Sequence, residues 1–161
     1  MSKLGVAFGK KFEENKDLLR IRSFDFYGHT FKVKVPLTSE YDAMIERLKT
    51  PDEVKVNEYY DKLTEQFIKN KAQFSKDESI VFKKDDIEIQ GRSMREAAKN
   101  KTLTETRILE MFKLLVPEEG QSLEDLTYPE IEELFPISIQ IEIIERISDT
   151  ISPSYKDIKG K

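Results

Sequence analysis

Few side chains in this sequence could carry out chemistry. The chain has no cysteine and one histidine, His29, so disulfides, thiolate nucleophiles and thiolate metal sites are excluded. His29 follows Gly28 in a segment that predicts a tight turn, and an exposed turn histidine is a poor candidate for a catalytic base. The adjacent acids Glu132 and Glu133 are typical of a solvated helix surface, and a glycosidase would also need a cleft. We therefore expect no enzymatic activity and no cofactor.

One segment imitates a calcium-binding loop. Asp86, Glu88 and Gln90 precede Gly91 at the spacing of the first ligands of such a loop. The last ligand position holds Ala97, however, and the isoleucines between the polar residues suit a strand with an acidic outer face. The chain also has no glycine-rich phosphate-binding motif, so we expect neither a metal nor a nucleotide site.

Length and composition indicate one domain. The 161 residues are 38% hydrophobic, enough for one modest core, and 36% charged, against roughly 25% in an average globular protein. We expect a single domain over residues 1–151, with residues 1–17 the least firmly attached. Residues 152–161 are polar, contain Pro153 and Gly160, and are expected to form a disordered tail.

Charge is distributed unevenly along the chain. Residues 1–35 contain eight basic and four acidic residues, a net charge of +4, whereas residues 117–151 contain one basic and ten acidic residues, a net charge of −9. These segments are either two solvated faces or opposite ends that attract neighbouring copies. The second alternative predicts self-association through Arg22, Lys32, Lys34, Glu132 and Glu133.

Residues 22–35 predict a β-hairpin, because apolar and polar residues alternate on both sides of Gly28. We expect Gly28 and His29 at the centre of a type II′ turn. This register would pair Phe26 with Phe31, Asp25 with Lys32, and Phe24 with Val33. A second, smaller hairpin is predicted at residues 80–90.

Capping motifs predict several helices. Ser/Thr residues followed three positions later by Glu begin at Thr50, Ser93, Thr102 and Thr127. A further helix is expected from Thr38 or Ser39 to about Lys49. Residues 137–151 alternate like a strand, but Pro136 and the length of the apolar pattern favour a helix. The predicted fold is therefore α+β and predominantly helical, with an N-terminal hairpin.

The C-terminal half has more large apolar residues than a thin domain can readily bury. These residues either form an exposed surface for a partner protein or belong to the core, and the pattern leaves both alternatives open. They are Phe112, Leu115, Leu134, Phe135, Ile139, Ile143 and Ile147.

Nucleic-acid binding is an alternative function, because basic residues of the hairpin are interleaved with Phe24, Phe26, Tyr27 and Phe31. The competing interpretation places the phenylalanines toward the core. The isoelectric point of about 5.3 also disfavours a nucleic-acid partner. A membrane-spanning helix is not expected, since no apolar run approaches roughly 18 residues.

The hairpin sequence Phe24-Asp25-Phe26-Tyr27-Gly28-His29-Thr30-Phe31-Lys32-Val33-Lys34-Val35-Pro36 is followed by a capped helix and by helices that end at Leu134-Phe135-Pro136. This pattern resembles the tail assembly chaperones of long-tailed bacteriophages, the family that includes the lambda-type chaperones. The resemblance extends from about Phe24 to Ile151 and consists of loose apolar patterns.

The resemblance implies a protein that coats and solubilises the long tape measure protein in the host cytoplasm and is missing from the finished virion. The tail tube protein is a further partner that it implies. A long helical protein exposes apolar stripes before assembly, and many weak contacts from a small partner would protect it. A structural or completion protein of the tail is the alternative of similar size.

Overall fold

The computed structural model describes residues 2–152. It has a predominantly helical α+β fold with two small antiparallel sheets, which confirms the predicted fold class. Residues 153–161 of the predicted disordered tail lie outside the described range. The chain forms two compact units: unit 1 comprises Met1–Asp42 with Ile108–Lys161, and unit 2 comprises Ala43–Arg107. The expected single domain over residues 1–151 stays a prediction.

Unit 1 begins with short helices that lead into the hairpin, and its later part is helical. Its elements are α1 (Lys3–Phe8), α2 (Lys10–Asn15), a 3-10 helix (Lys16–Arg20), β1 (Ile21–Phe26), β2 (His29–Lys34), the start of α3 (Thr38–Lys49), the end of α6 (Met94–Phe112), α7 (Tyr128–Leu134) and α8 (Ile137–Ile151).

The hairpin is present, but its predicted turn and register are wrong. The turn residues are Tyr27 and Gly28, with φ angles of 47° and 82°, and Phe26 pairs with His29. Positive φ at both central residues is the type I′ geometry, which matches the right-handed twist of the strands. His29 is therefore the first residue of β2 and not a turn residue.

The observed register differs from the predicted one by two residues. Each side chain therefore lies on the face of the hairpin that the alternation predicted. Phe24 pairs with Phe31, and their rings stack with centroids 5.4 Å apart. Asp25 lies opposite Thr30 and accepts a 2.6 Å hydrogen bond from its hydroxyl. The expected Asp25–Lys32 ion pair is wrong, since Lys32 lies opposite Ser23.

Helix α8 packs on both strands of the hairpin, and its bounds confirm the predicted helix at 137–151. Its buried apolar side chains are Ile143, Ile144, Ile147 and Ile151. The Arg146 guanidinium lies 5.2 Å from the centre of the Phe24 ring. Arg22 of β1 donates a 3.0 Å hydrogen bond to the carbonyl oxygen of Thr150. Polar contacts thus flank the apolar contact between hairpin and helix.

Unit 2 contains the rest of α3, then α4 (Glu53–Lys69), α5 (Lys71–Phe74), β3 (Ile80–Phe82), β4 (Ile87–Ile89), β5 (Arg92–Ser93) and most of α6. The second hairpin is confirmed, with Ile80 opposite Ile89, and β5 extends it to three strands. Val56, Tyr60 and Ala98 form the buried apolar cluster that joins α4 to α6.

Two of the predicted helix starts are wrong. The N-cap of α4 is Asp52 and not Thr50, because the Asp52 carboxylate accepts a 3.0 Å hydrogen bond from the amide of Val54. Thr102 begins no helix, since α6 continues through it and its hydroxyl donates a 2.9 Å hydrogen bond to the Ala98 carbonyl. That bond satisfies the buried hydroxyl inside the helix. The Ser93 motif does precede α6, and Ser93 Oγ accepts from the Glu96 amide at 3.1 Å.

Asp86 holds the second sheet to the start of α6. Its carboxylate accepts hydrogen bonds from the Ile87 amide at 2.8 Å, from the Arg95 amide at 3.0 Å and from the Ser93 hydroxyl. Burial alone would raise the pKa of Asp86, but these hydrogen bonds and the Arg95 charge hold it below its ordinary value. The carboxylate at the start of the calcium-like segment thus has protein donors as its partners.

Candidate docking groove

An apolar groove of about 600 Å³ lies in unit 1. Its size falls within the roughly 300–1,000 Å³ that is typical of ligand sites. The start of β2, the end of α6, the segment after α6 and helix α7 contribute its walls. The apolar residues that line it include Phe112, Leu115, Leu123, Leu126, Leu134 and Phe135.

The first wall is positioned by backbone pairing with the hairpin. The Lys34 amide donates to the Leu114 carbonyl at 2.9 Å, and the Val116 amide donates to the Lys32 carbonyl at 2.8 Å. Leu115 is thereby placed opposite Val33, which is completely buried. This isolated bridge and its two hydrogen bonds fix residues 114–116 beside β2, so the groove lies against a backbone held in place.

The deepest part of the groove is aromatic and aliphatic. Phe112 is 5% exposed and Ile131 is 3% exposed, and the rings of Phe112 and Phe135 lie 6.0 Å apart. Leu134, by contrast, is 73% exposed at the rim. The groove therefore has a packed floor and an apolar edge that solvent reaches.

A buried amide fixes the junction between α7 and α8. Gln140 is 1% exposed; its Oε1 accepts a 2.9 Å hydrogen bond from the Tyr128 hydroxyl, and its Nε2 donates to the Phe135 carbonyl at 2.8 Å. A buried polar side chain with both ends bonded makes one arrangement much more favourable than its alternatives. Phe135 is thus held at the groove by Gln140 of α8 and by its own amide, which donates to the Ile131 carbonyl of α7 at 2.9 Å.

Helix α7 begins at the predicted Thr127 capping box, which is confirmed. The Glu130 carboxylate accepts a 3.2 Å hydrogen bond from the Thr127 amide and a 2.8 Å hydrogen bond from the Thr127 hydroxyl. This cap orients the first turn of α7, which carries Ile131 into the groove floor.

The groove is electrostatically asymmetric. Glu118 and Glu119, from the segment after α6, and Glu130 of α7 form its acidic side, and His29 and Lys32 come from β2. Residues 117–134 contain seven acidic residues and no lysine or arginine. An occupant with basic residues beside its apolar anchors would therefore complement the acidic side.

The structure brings together four of the seven predicted partner-binding residues: Phe112, Leu115, Leu134 and Phe135. The other three lie on α8. Ile143 and Ile147 are completely buried. They therefore belong to the core, which was the second alternative for these residues. Their burial follows from the packing of α8 on the hairpin. Ile139 is partly exposed and does not line the groove.

The residues predicted for self-association have different surroundings. Lys32 lines the groove, whereas Lys34 approaches Asp17 at 4.0 Å and Arg22 bonds to the backbone of α8. Glu132 and Glu133 are exposed on α7. Their role in association stays a prediction.

The sequence did not identify several groove residues. Leu123 and Leu126 stand in an acidic segment without regular periodicity, and their spacing of three was the only available signal. His29 was assigned to a turn, but its ring packs edge-on against Phe31 at 4.5 Å beside the groove. Of the aromatic residues of the hairpin, Phe24 is buried and Phe26 and Phe31 are half-buried, whereas Tyr27 is 82% exposed.

Within residues 2–152, no three histidine, aspartate or glutamate side chains are grouped so that they could hold a metal ion. No helix in this described part is long and apolar enough to cross a membrane. Comparisons with protein-family models, with curated proteins and with solved structures gave no match.

Proposed function

We propose that this protein is an assembly chaperone that binds an apolar segment of a long helical client, in the manner of a phage tail chaperone with its tape measure protein. The observation that carries the proposal is the groove of unit 1. It combines an aromatic floor, an exposed leucine at the rim and an acidic side. No catalytic step is part of the proposal.

The shape and chemistry of the groove favour an amphipathic helix as the occupant. Such a helix places apolar side chains three and four residues apart along one face, which suits an apolar floor. Basic residues next to those anchors would lie beside Glu118 and Glu119, both exposed at the rim. Contacts of this kind are weak and numerous along a long client, so that assembling tail-tube subunits can displace the chaperone.

The polar supports of the groove agree with a binding role. Gln140 and the Thr127–Glu130 cap fix α7 from both ends. A preformed groove loses little conformational entropy on binding, which suits a chaperone that must bind many similar segments.

Coexpression with a tape measure protein tests this function. We expect the client to remain in the soluble fraction and to copurify with the wild-type chain. Leu134→Glu should abolish both effects, because it places a charge at the apolar rim. The matched control is Val54→Glu, since Val54 is a similarly exposed apolar residue on a helix (67% against 73%) but lies in unit 2. Equal loss in both variants, or none in either, would contradict the proposal.

A further inference from the structure

The N-terminal segment of unit 1, residues 3–12, leaves its large apolar side chains in solvent. Leu4, Val6 and Phe8 are each more than 60% exposed, and Gly5 is the buried residue of α1. Phe8 also contacts the ring of Phe12 edge-on at 5.0 Å. Exposed apolar residues this close together are typical of an interaction surface.

The conformation of the segment is defined by local hydrogen bonds. The Ser2 hydroxyl accepts a 2.9 Å hydrogen bond from the Gly5 amide, and the Gly9 amide closes the helix at the Gly5 carbonyl at 3.1 Å. Gly9 has φ of 93°, a conformation that glycine adopts without strain. Within this short helix Leu4 and Phe8 are four residues apart and share one face, the spacing of a helical anchor pair.

The charge of the segment is opposite to that of the groove. Residues 3–12 contain Lys3, Lys10 and Lys11 and no acidic residue, whereas residues 117–134 contain seven acidic residues and no lysine or arginine. The segment thus has apolar residues that could contact the groove floor and basic residues that would complement its acidic side. The segment does not occupy the groove of its own copy, since none of its residues lines it.

We infer that residues 3–12 of one copy bind in the groove of a second copy, with Leu4 and Phe8 on its apolar floor and the three lysines beside its acidic side. This inference rests on the groove being a protein-binding site, as proposed above. The contact joins two different surfaces, so a chain of copies keeps one free segment at one end and one free groove at the other. The same contact would shield the groove until a client competes for it.

Two complementary variants test this arrangement by sedimentation velocity. Leu4→Glu with Phe8→Glu damages the segment and keeps the groove, whereas Leu134→Glu damages the groove and keeps the segment. The wild type should form larger species as concentration rises, and fewer of them at high salt. Each variant alone should be monomeric, and an equimolar mixture should form heterodimers that grow no further. The control, Leu18→Glu with Leu19→Glu, alters side chains that are 67% and 73% exposed and should associate like the wild type.

Crosslinking gives a second measurement that adds no charge to either surface. The chain has no cysteine, so Phe8→Cys with Leu134→Cys should give an intermolecular disulfide ladder on mild oxidation, and Leu19→Cys with Leu134→Cys should not. A monomeric wild type at all concentrations, a variant mixture that stays monomeric, or equal ladders in both cysteine pairs would overturn the inference. Monomeric wild type that binds anionic vesicles through Leu4 and Phe8 would assign the segment to membranes instead.

Client binding is measured separately, on the Leu4→Glu, Phe8→Glu variant, whose groove is free. If this variant binds tape measure segments but forms no heterodimer, the inference fails and the proposed function stands. If it forms the heterodimer but binds no client, the proposed function fails and the self-association stands.

Discussion

The hydroxyl of Tyr128 donates a 2.9 Å hydrogen bond to Oε1 of Gln140, across the junction between α7 and α8. Both side chains are buried, and the same glutamine amide donates to the backbone carbonyl of Phe135. The orientation of α7, and with it one wall of the groove, therefore depends on a glutamine within an otherwise isoleucine-rich helix.

Replacing Gln140 by leucine should destabilise the protein by about 2 kcal/mol, because the Tyr128 hydroxyl and the Phe135 carbonyl lose a buried partner. Urea denaturation measures this change. Tyr128→Phe combined with Gln140→Leu should cost less than the sum of the single changes, since both changes remove the same hydrogen bond. Strict additivity would show that the two side chains do not interact energetically.

Gly28→Ala should destabilise the hairpin by roughly 1 kcal/mol, because φ of 82° at this position strains any residue with a Cβ. Steric crowding is not the cause, since a Cβ at Gly28 would have no atom within 4 Å outside its own residue and its two chain neighbours. Thermal denaturation followed by circular dichroism measures the loss. Tyr27→Asn is the companion variant and should not lower stability, because asparagine tolerates positive φ. An unchanged melting temperature for Gly28→Ala would rule out the type I′ turn.

Asp86 should make stability depend on pH in the acid range. Its pKa is lower in the folded chain than in the unfolded chain, so its stabilisation is complete above the unfolded value and is lost as pH falls below about 4. Asp86→Ala should cost about 2 kcal/mol at neutral pH, because three donors lose their acceptor, and should flatten this acid dependence. The control Asp85→Ala changes an exposed neighbour. Identical pH profiles for Asp86→Ala and the wild type would refute this role.

The sequence predicted the fold class and the faces of the hairpin, because the alternation of apolar and polar residues along a strand shows which side chains share a face. It did not predict the register, because that depends on whether Tyr27 or His29 joins Gly28 in the turn. Glycine accepts positive φ at either central position. The preference for a type I′ turn comes from the twist of the whole hairpin and not from the turn residues alone.

The Thr102 motif shows a second limit of local patterns. Its Thr-x-x-Glu spacing is that of a capping box, but the hydroxyl bonds backward to the Ala98 carbonyl and the helix continues. A motif defined by four residues does not reveal whether the preceding turn is already helical. The Thr127 motif follows an irregular segment and does cap a helix.

The candidate groove was predicted in part. The apolar surplus of the C-terminal half identified Phe112, Leu134 and Phe135, which meet at the groove. The same reasoning could not separate Ile143 from them, because periodicity shows which residues share a helix face but not which face another element covers. The packing of α8 on the hairpin decides that question.

A photocrosslinking experiment tests the central claim most directly. Leu134→Cys, in a chain that has no other cysteine, is labelled with a benzophenone and illuminated with helical segments of a tape measure protein. Val54→Cys, labelled in the same way, is the control. We predict a saturable adduct at position 134 that excess unlabelled wild-type chain reduces, and only background at position 54. Equal adducts at both positions, or none at position 134, would contradict the groove as the client-binding site.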